Sequence, residues 1–269
     1  MKHFAESEHR QLDLSFVNRN GQTLLDRRLF SYPYVLTRTF REPSGVVHSN
    51  EPAPAATLTH LVVQNSSGPV HDRDDLATNL VLNVATRVRV TYQGATAIHR
   101  ARSGNASRER LTISLAEDAH LSYLPEARIY FPEAAHHQTT DIELSAGSTL
   151  LFTDSFTTHD PEGAARPLSE LDNTLTIRRG GEVVLLDRQH LKTPGFPRGF
   201  RAFGTLFLIG HGKPELPAIP TLYAAISELP SGLGWAIRLA APTLQPIRQA
   251  LNQAARLTPQ APPRPPHQQ

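Results

Sequence analysis

The chain has 269 residues, with 27 Lys and Arg against 25 Asp and Glu, 13 His and no Cys. The near balance of charge leaves no basic footprint for nucleic acid, and an aromatic content of 7% offers little on which bases could stack. Without cysteine there is no disulfide, no thiolate nucleophile and no Cys-ligated zinc.

The opening residues carry no apolar signal-peptide core, and no apolar run approaches the ~18 residues of a membrane span, so a cytoplasmic location is expected. Leu12, Leu14 and Phe16 alternate with polar residues, Asn20-Gly21 supplies a turn tolerant of positive φ, and Thr23 to Leu25 returns, which together predict a β-hairpin. Tyr32-Pro33-Tyr34 opens a further extended stretch. Residues 42–56, with Pro43, Gly45, Pro52 and Pro54, read as loop, and Leu58 to Gln64 as a strand.

From about 76 to 160 one pattern occurs three times. Leu82, Leu115 and Leu144, spaced 33 and 29 residues apart, are each followed six and eight positions later by apolar residues: Val88 and Val90, Leu121 and Tyr123, Leu150 and Phe152. Each unit opens with an alternating strand, turns, and continues into a second strand. A third strand, such as 127–131, follows. One such unit cannot bury its apolar face alone, so the units must stack. The fold predicted is mainly β: a stacked, solenoid-like β-helix core.

Residues 158–173 read as a polar, flexible stretch. Leu175 and Ile177, then Gly180-Gly181, then Val183 and Leu185 predict a second hairpin, and Phe203 to Ile209 a strand after the loop 193–200. Two C-terminal α-helices are expected within about 217–257. The first carries Leu222, Ala225, Ile226 and Leu229 between Pro220 and Pro230; the second carries Leu244, Ile247, Leu251 and Ala254, with Pro246 confined to its first turn. Trp235 to Leu239 between them reads as a strand. Residues 1–257 are taken as a single domain, and 258–269, with five prolines, as a disordered tail.

Candidate chemistry is sparse. Possible metal ligands cluster at His71-Asp72-Arg73-Asp74-Asp75, His136-His137 and His159-Asp160, but adjacent strand residues face opposite ways, so His136 and His137 are not expected to act as one clamp. Each of the three clusters reads more readily as a solvated turn or surface pair. Glu126 and Glu133, near Tyr130, are the only hint of a glycosidase-like carboxylate pair. Arg179-Gly-Gly-Glu182 is a turn rather than a phosphate loop, and neither a nucleophile elbow nor a Walker loop occurs. No catalytic, cofactor or resident metal site is assigned.

Several segments in one order resemble the UreD (UreH) urease accessory proteins. Gly68-Pro-Val-His-Asp-Arg-Asp74 stands where that family has Gly-Leu-Val-Gly-Gly-Asp. Thr91-Tyr-Gln93-Gly-Ala95-Thr96-Ala-Ile98-His-Arg100 is similar to its Thr-x-Gln-x-Ala-Thr-Lys-Val-Tyr-Arg, and Leu121-Ser-Tyr-Leu124-Pro125 with Ile129 and Phe131 to its Leu-x-x-Leu-Pro-x-x-x-Ile-x-Phe. Asp72-Arg73 replaces the family's glycine pair, and Ala97 and His99 its Lys and Tyr, as in a divergent member.

The resemblance implies a non-catalytic urease maturation chaperone. It would scaffold UreF-like and UreG-like partners on apo-urease and assist transient nickel passage, with no tightly bound cofactor and with neither nucleic acid nor membrane as partner. Asp74 is the one acidic position carried over from the glycine-rich motif, and capping its own turn is the role favoured for it. Poor solubility without a UreF-like partner is expected. A UreD-like module repurposed for another partner, or a β-solenoid carbohydrate-active enzyme, are the alternatives.

Overall fold

A computed structural model describes residues 10–43, 57–164, 166–192, 199–216 and 218–257. The strands are β1 (Leu12–Arg19), β2 (Gln22–Phe30), β3 (Tyr34–Leu36), β4 (Phe40–Pro43), β5 (Thr57–Asn65), β6 (Asp75–Leu82), β7 (Arg87–Tyr92), β8 (Thr96–Ile98) and β9 (Ser107–Leu115). They continue as β10 (His120–Leu124), β11 (Arg128–Tyr130), β12 (Ala135–Leu144), β13 (Thr149–Thr158), β14 (Glu170–Arg179), β15 (Glu182–Lys192), β16 (Ala202–Ile209), β17 (Tyr223–Glu228) and β18 (Gly234–Ala241). One helix, α1 (Leu244–Leu257), follows.

The core is a β-solenoid of about four turns. Its first face is the parallel array β1-β6-β9-β12-β14, closed at its ends by antiparallel β2 and β15. Its second face is the parallel array β5-β7-β10-β13, extended by antiparallel β16, β18 and β17 on one side and by β3 and β4 on the other. A narrow third side is made by β8 and β11, with Val70 bridged to Ile98 and Tyr130 paired to Thr158.

The thrice-repeated pattern is the register of this stack. Leu82 pairs Leu115 and Leu115 pairs Leu144; on the second face Val88, Leu121 and Leu150 align, as do Val90, Tyr123 and Phe152. Leu14, Leu80, Ile113, Ile142 and Ile177 form a parallel buried row two residues earlier. Fully burying such a side chain is worth about 1.5–3 kcal/mol, and each row is shared between neighbouring coils, so stability comes from stacking.

The polar spacer in the repeat is the corner between the two faces. Its third residue takes left-handed φ in every copy: Ala85 (54°), Asp118 (56°) and Gly147 (68°). Corners stack through Ala85 N–H on the Glu117 carbonyl at 2.9 Å and Asp118 N–H on the Ala146 carbonyl at 3.1 Å. A Cβ on Gly147 would stand 2.0 Å from Asp118 Oδ1, so glycine is demanded there by both backbone and space.

The C-terminal segment differs from expectation in one element. Residues 223–228 are the strand β17, paired antiparallel to β18 from Tyr223↔Ala240 to Glu228↔Trp235, and not a helix. Leu222, Ala225, Ile226 and Leu229 share helical spacing by coincidence; β17 is a largely exposed edge strand, so burial imposes no alternation on it. The expected second helix is α1. It lays Ile247, Ala250, Leu251 and Ala254 on the outer side of the second face, against Leu206, Leu208, Ile237 and Leu239, and Pro246 sits in its first turn as required.

The polar stretch 158–173 is also more ordered than expected. β13 runs to Thr158, β14 begins at Glu170, and between them Asp160 is gripped by the Arg166 backbone N–H at 3.0 Å and its guanidinium at 2.9 Å. Residues 44–56 of the proline-rich loop, 193–198 and the tail 258–269 lie outside the described residues.

Candidate functional site

The sequence clusters separate in the fold. At 71–75, Asp72 accepts the Ser103 N–H at 2.9 Å, Asp74 accepts the His71 N–H at 2.8 Å, and Asp75 pairs with Arg110 at 2.8 Å. Hydrogen bonding from Ser103 lowers the Asp72 carboxyl below its usual range. Asp74 thus caps its own turn. Arg73, where the resembling family has glycine, takes φ 65°.

His159 stacks edge-on to Phe131, which is followed in the same line by His99 and His71, a ladder on the third side of the solenoid. Glu126 and Glu133 are engaged by different arginines, Arg248 and Arg100, and Tyr130 is buried in a core cluster with Phe156. His136 and His137 do point to opposite sides: His136 is interior, with 1% of its side chain exposed, and His137 lies on the outer side of the first face.

One ionic assembly lies inside the solenoid. Arg128, on β11, has only 9% of its side chain exposed and forks between two carboxylates: its Nη2 reaches Glu109 Oε2 at 2.9 Å and its Nη1 reaches Asp154 Oδ1 at 2.6 Å. Asn173 donates to the other Asp154 oxygen. His136 Nδ1 bonds Ser107 Oγ at 2.8 Å, while its Nε2 stands 3.7 Å from Glu109 Oε2 without a hydrogen-bond partner.

Beside Asp154, Thr205 on β16 receives Gln189 at 3.3 Å and Arg238 at 2.8 Å, and Arg238 also pairs with Asp187. A polar thread therefore runs from buried His136 to half-exposed Arg238 at the β15–β18 end. It includes two acidic groups in the interior and a third, Asp187, at its more exposed end.

Electrostatics follow from burial and charge. Burial alone raises the Glu109 carboxyl, but Arg128 and, after it, His136 outweigh burial and hold the group down at about 2. Burial lowers His136 and keeps the imidazole neutral at physiological pH. Tyr34, Tyr92 and Tyr123 are raised well above their usual range, first by burial and further by the negative charge of Glu109. Among the described residues, no group of three or more His, Asp or Glu is placed so that it could hold a metal ion.

The sequence pattern contained a signal for this thread that residue motifs did not. Counting back by twos from the apolar positions places Glu109 and Ser107 inward on β9, His136 and Gln138 inward on β12, and Asn173 inward on β14. Continuing forward from Leu150 and Phe152 places Asp154 inward on β13.

The fold defines a protein of the β-solenoid class with polar groups threaded through its core. The UreD urease accessory protein model matches residues 8–268. A urease accessory protein UreD 2 from Bradyrhizobium sp. (strain BTAi1 / ATCC BAA-1182) is 41% identical over 261 residues, covering 92% of this chain and 88% of the relative. UreD 1 of Methylorubrum populi is 32% identical, covering 86% and 81%, and UreD of Mycolicibacterium smegmatis 30%, covering 87% and 85%. The chain belongs to the UreD family of urease accessory proteins. No helix among the described residues is long and apolar enough to cross a membrane.

Proposed function

We propose that this chain is a non-catalytic urease maturation chaperone, acting in the cytoplasm. It would hold UreF-like and UreG-like accessory proteins on apo-urease and assist delivery of nickel to the urease active site. Membership of the family across nearly the whole chain carries this reading.

The interior thread supplies a physical basis for the second part. Glu109, Asp154 and His136 are hard-oxygen and imidazole groups of the kind that borderline divalent ions accept, and they stand inside a wall of paired strands. In the ion-free protein Arg128 neutralises the two carboxylates. An ion travelling here exchanges one set of weak donors for the next without meeting competing ligands in bulk water. The open strand edges at β2, β15 and β17 offer surface for partner proteins.

Co-expression with apo-urease subunits and a UreF-like protein tests the reading. The chain is expected to co-purify with them and to be more soluble than when made alone. Elution of the chain by itself, with urease in a separate peak, contradicts it.

A further inference from the structure

The first end of the solenoid is rimmed by two open strand edges. β2 closes the first face there, and β3 and β4 together close the second. The two edges run side by side: Arg28 donates to the Leu36 carbonyl at 3.0 Å and Arg41 to Gln22 Oε1 at 2.7 Å. Among the described residues, six of the ten exposed large apolar side chains gather here, namely Leu24, Leu29, Phe30, Tyr32, Val35 and Phe40, with Tyr32 74% and Leu29 60% exposed. Past the bulge at Asp26, the Arg27 N–H donates to Ser15 Oγ and the Ser31 N–H to the Gln11 carbonyl, both on the β1 side. Strand alternation then directs the backbone N–H and C=O of Arg28 and Phe30 to the open edge.

The charge left over at this end is positive. Asp13, Asp26 and Glu42 are each taken, by Arg27, Arg19 and Arg89. Among the described residues, Arg28, Arg38 and Arg41 meet neutral groups instead: Arg28 the Leu36 carbonyl and the Phe30 ring, Arg38 the Phe40 ring, and Arg41 the Gln22 amide. At the opposite end, the edge strand β15 and its neighbours have their cations matched, Arg188 by Asp172, Lys192 by Glu170 and Arg178 by Asp141. A second copy of the chain is a poor occupant of the first end, because a two-fold axis would bring the same arginines together.

We propose that the β2 edge docks an extended, acidic segment of a partner protein, one in which Asp or Glu alternates with apolar residues. The segment adds as a strand beside Arg28 and Phe30, whose main-chain groups supply the hydrogen bonds. Its carboxylates take Arg28, Arg38 and Arg41 in charge-assisted bonds, which are stronger than the neutral contacts these side chains now make. Its apolar side chains cover Leu29, Phe30 and Tyr32. The inference deepens the reading that strand edges receive partner proteins, and its test contains no urease, so either can fail without the other.

The full chain is mixed with a short fluorescein-labelled peptide of alternating Glu and Val, and separately with its Lys and Val counterpart. Binding is read by anisotropy in about 50 and about 300 mM NaCl. Wild type is compared with Arg38→Glu/Arg41→Glu and with Arg178→Glu/Arg188→Glu as a control pair at the β15 end. The acidic peptide is expected to bind wild type and control, more weakly at high salt, and to bind the first variant about tenfold or more less tightly. The Lys peptide is expected not to bind.

Hydrogen exchange of the wild-type chain, with and without the acidic peptide, gives a readout that does not depend on any variant folding. The Arg28 and Phe30 amides are expected to slow by about tenfold or more, while Leu29, whose N–H turns to β1, changes little. Equal binding of the Lys peptide, equal loss in the control variant, or unchanged exchange at Arg28 and Phe30 overturns the proposal. So does a dimer of the chain, or its sedimentation with phosphatidylserine vesicles, that Arg38→Glu/Arg41→Glu abolishes while the acidic peptide goes unbound, since either assigns the surface to another occupant.

Discussion

Replacing Arg128 by Met removes the one cation that two interior carboxylates share. Arg128→Met keeps the stem of the side chain and its packing but leaves Glu109 and Asp154 facing each other with only Asn173 and His136 nearby. Breaking a buried pair in this way costs about 3–5 kcal/mol, a large part of the ~5–15 kcal/mol that holds a typical domain. The loss is pH-dependent, and its sign follows from burial. In the wild type, Arg128 holds Glu109 at about 2, below its usual 4.5, so the contribution of Glu109 is present above pH 4.5 and is lost as pH falls toward 2. In the variant the Arg128 attraction is gone, and burial, opposed only in part by His136, lifts the carboxyl above 4.5. Its protonated form then relieves the folded state at low pH, and that relief disappears as pH rises through the new value. Urea unfolding of both proteins at pH 5.5 and 8 reads the effect: the gap should be about 3–5 kcal/mol at pH 8 and smaller by about 1 kcal/mol or more at pH 5.5. A gap under about 1 kcal/mol that does not change with pH would show that the cluster is solvated, and the account of a desolvated interior thread would be wrong.

Other perturbations follow from single features. Gly147→Ala places a side chain at φ 68° and against Asp118, so denaturant melts should show a loss of about 1–2 kcal/mol, whereas Ala85→Gly at the equivalent corner should be neutral or stabilising by up to about 1 kcal/mol; equal effects at both sites would refute the corner equivalence. Arg73→Gly relieves the same left-handed backbone and should raise the denaturant midpoint slightly; a lower midpoint would refute this and show that its 3.2 Å hydrogen bond to Ser103 outweighs the strain. His120 is lowered to about 3, mainly by burial and then by His211, Arg87 and Arg89. An unfolded chain takes up that proton near 6.5, so stability is full above pH 6.5 and drains away as pH falls toward 3; His120→Gln should flatten that part of a stability–pH curve, and an unchanged slope would assign the acid sensitivity elsewhere.

How much could be read in advance depended on how strongly burial constrained each segment. The rows through Leu82, Leu115 and Leu144 were legible because in these layers each inward position is apolar and in phase with its neighbours. β17 was misread because Tyr223, Ala224 and Ala225 lie on an exposed edge, where hydrogen bonds to β18 decide the structure and no side-chain pattern records them. The capping role of Asp74 was readable from turn chemistry, since its carboxylate had a backbone N–H three residues away to satisfy. Glu109, Arg128 and Asp154 escaped notice because they lie 19 and 26 residues apart along the chain and meet only when successive coils stack. Their inward parity was present in the sequence; the fact that three charges converge could come only from the fold.

In the proposed role the fold serves as a platform for urease maturation and its interior thread serves ion handling rather than stability. Glu109→Leu/Arg128→Met/Asp154→Leu removes the whole charge set at once, an exchange that is often neutral or stabilising by about 1–4 kcal/mol, so the fold should survive it. The most direct measurement is the nickel content and activity of urease purified from cells that supply its other accessory proteins with the wild-type chain, with this triple variant, or with neither. The account predicts nickel-loaded, active urease with the wild type only, and a triple variant that still co-purifies with the assembly while urease stays largely empty. Urease loaded equally well in the absence of the chain, or equally well by the triple variant, would contradict it.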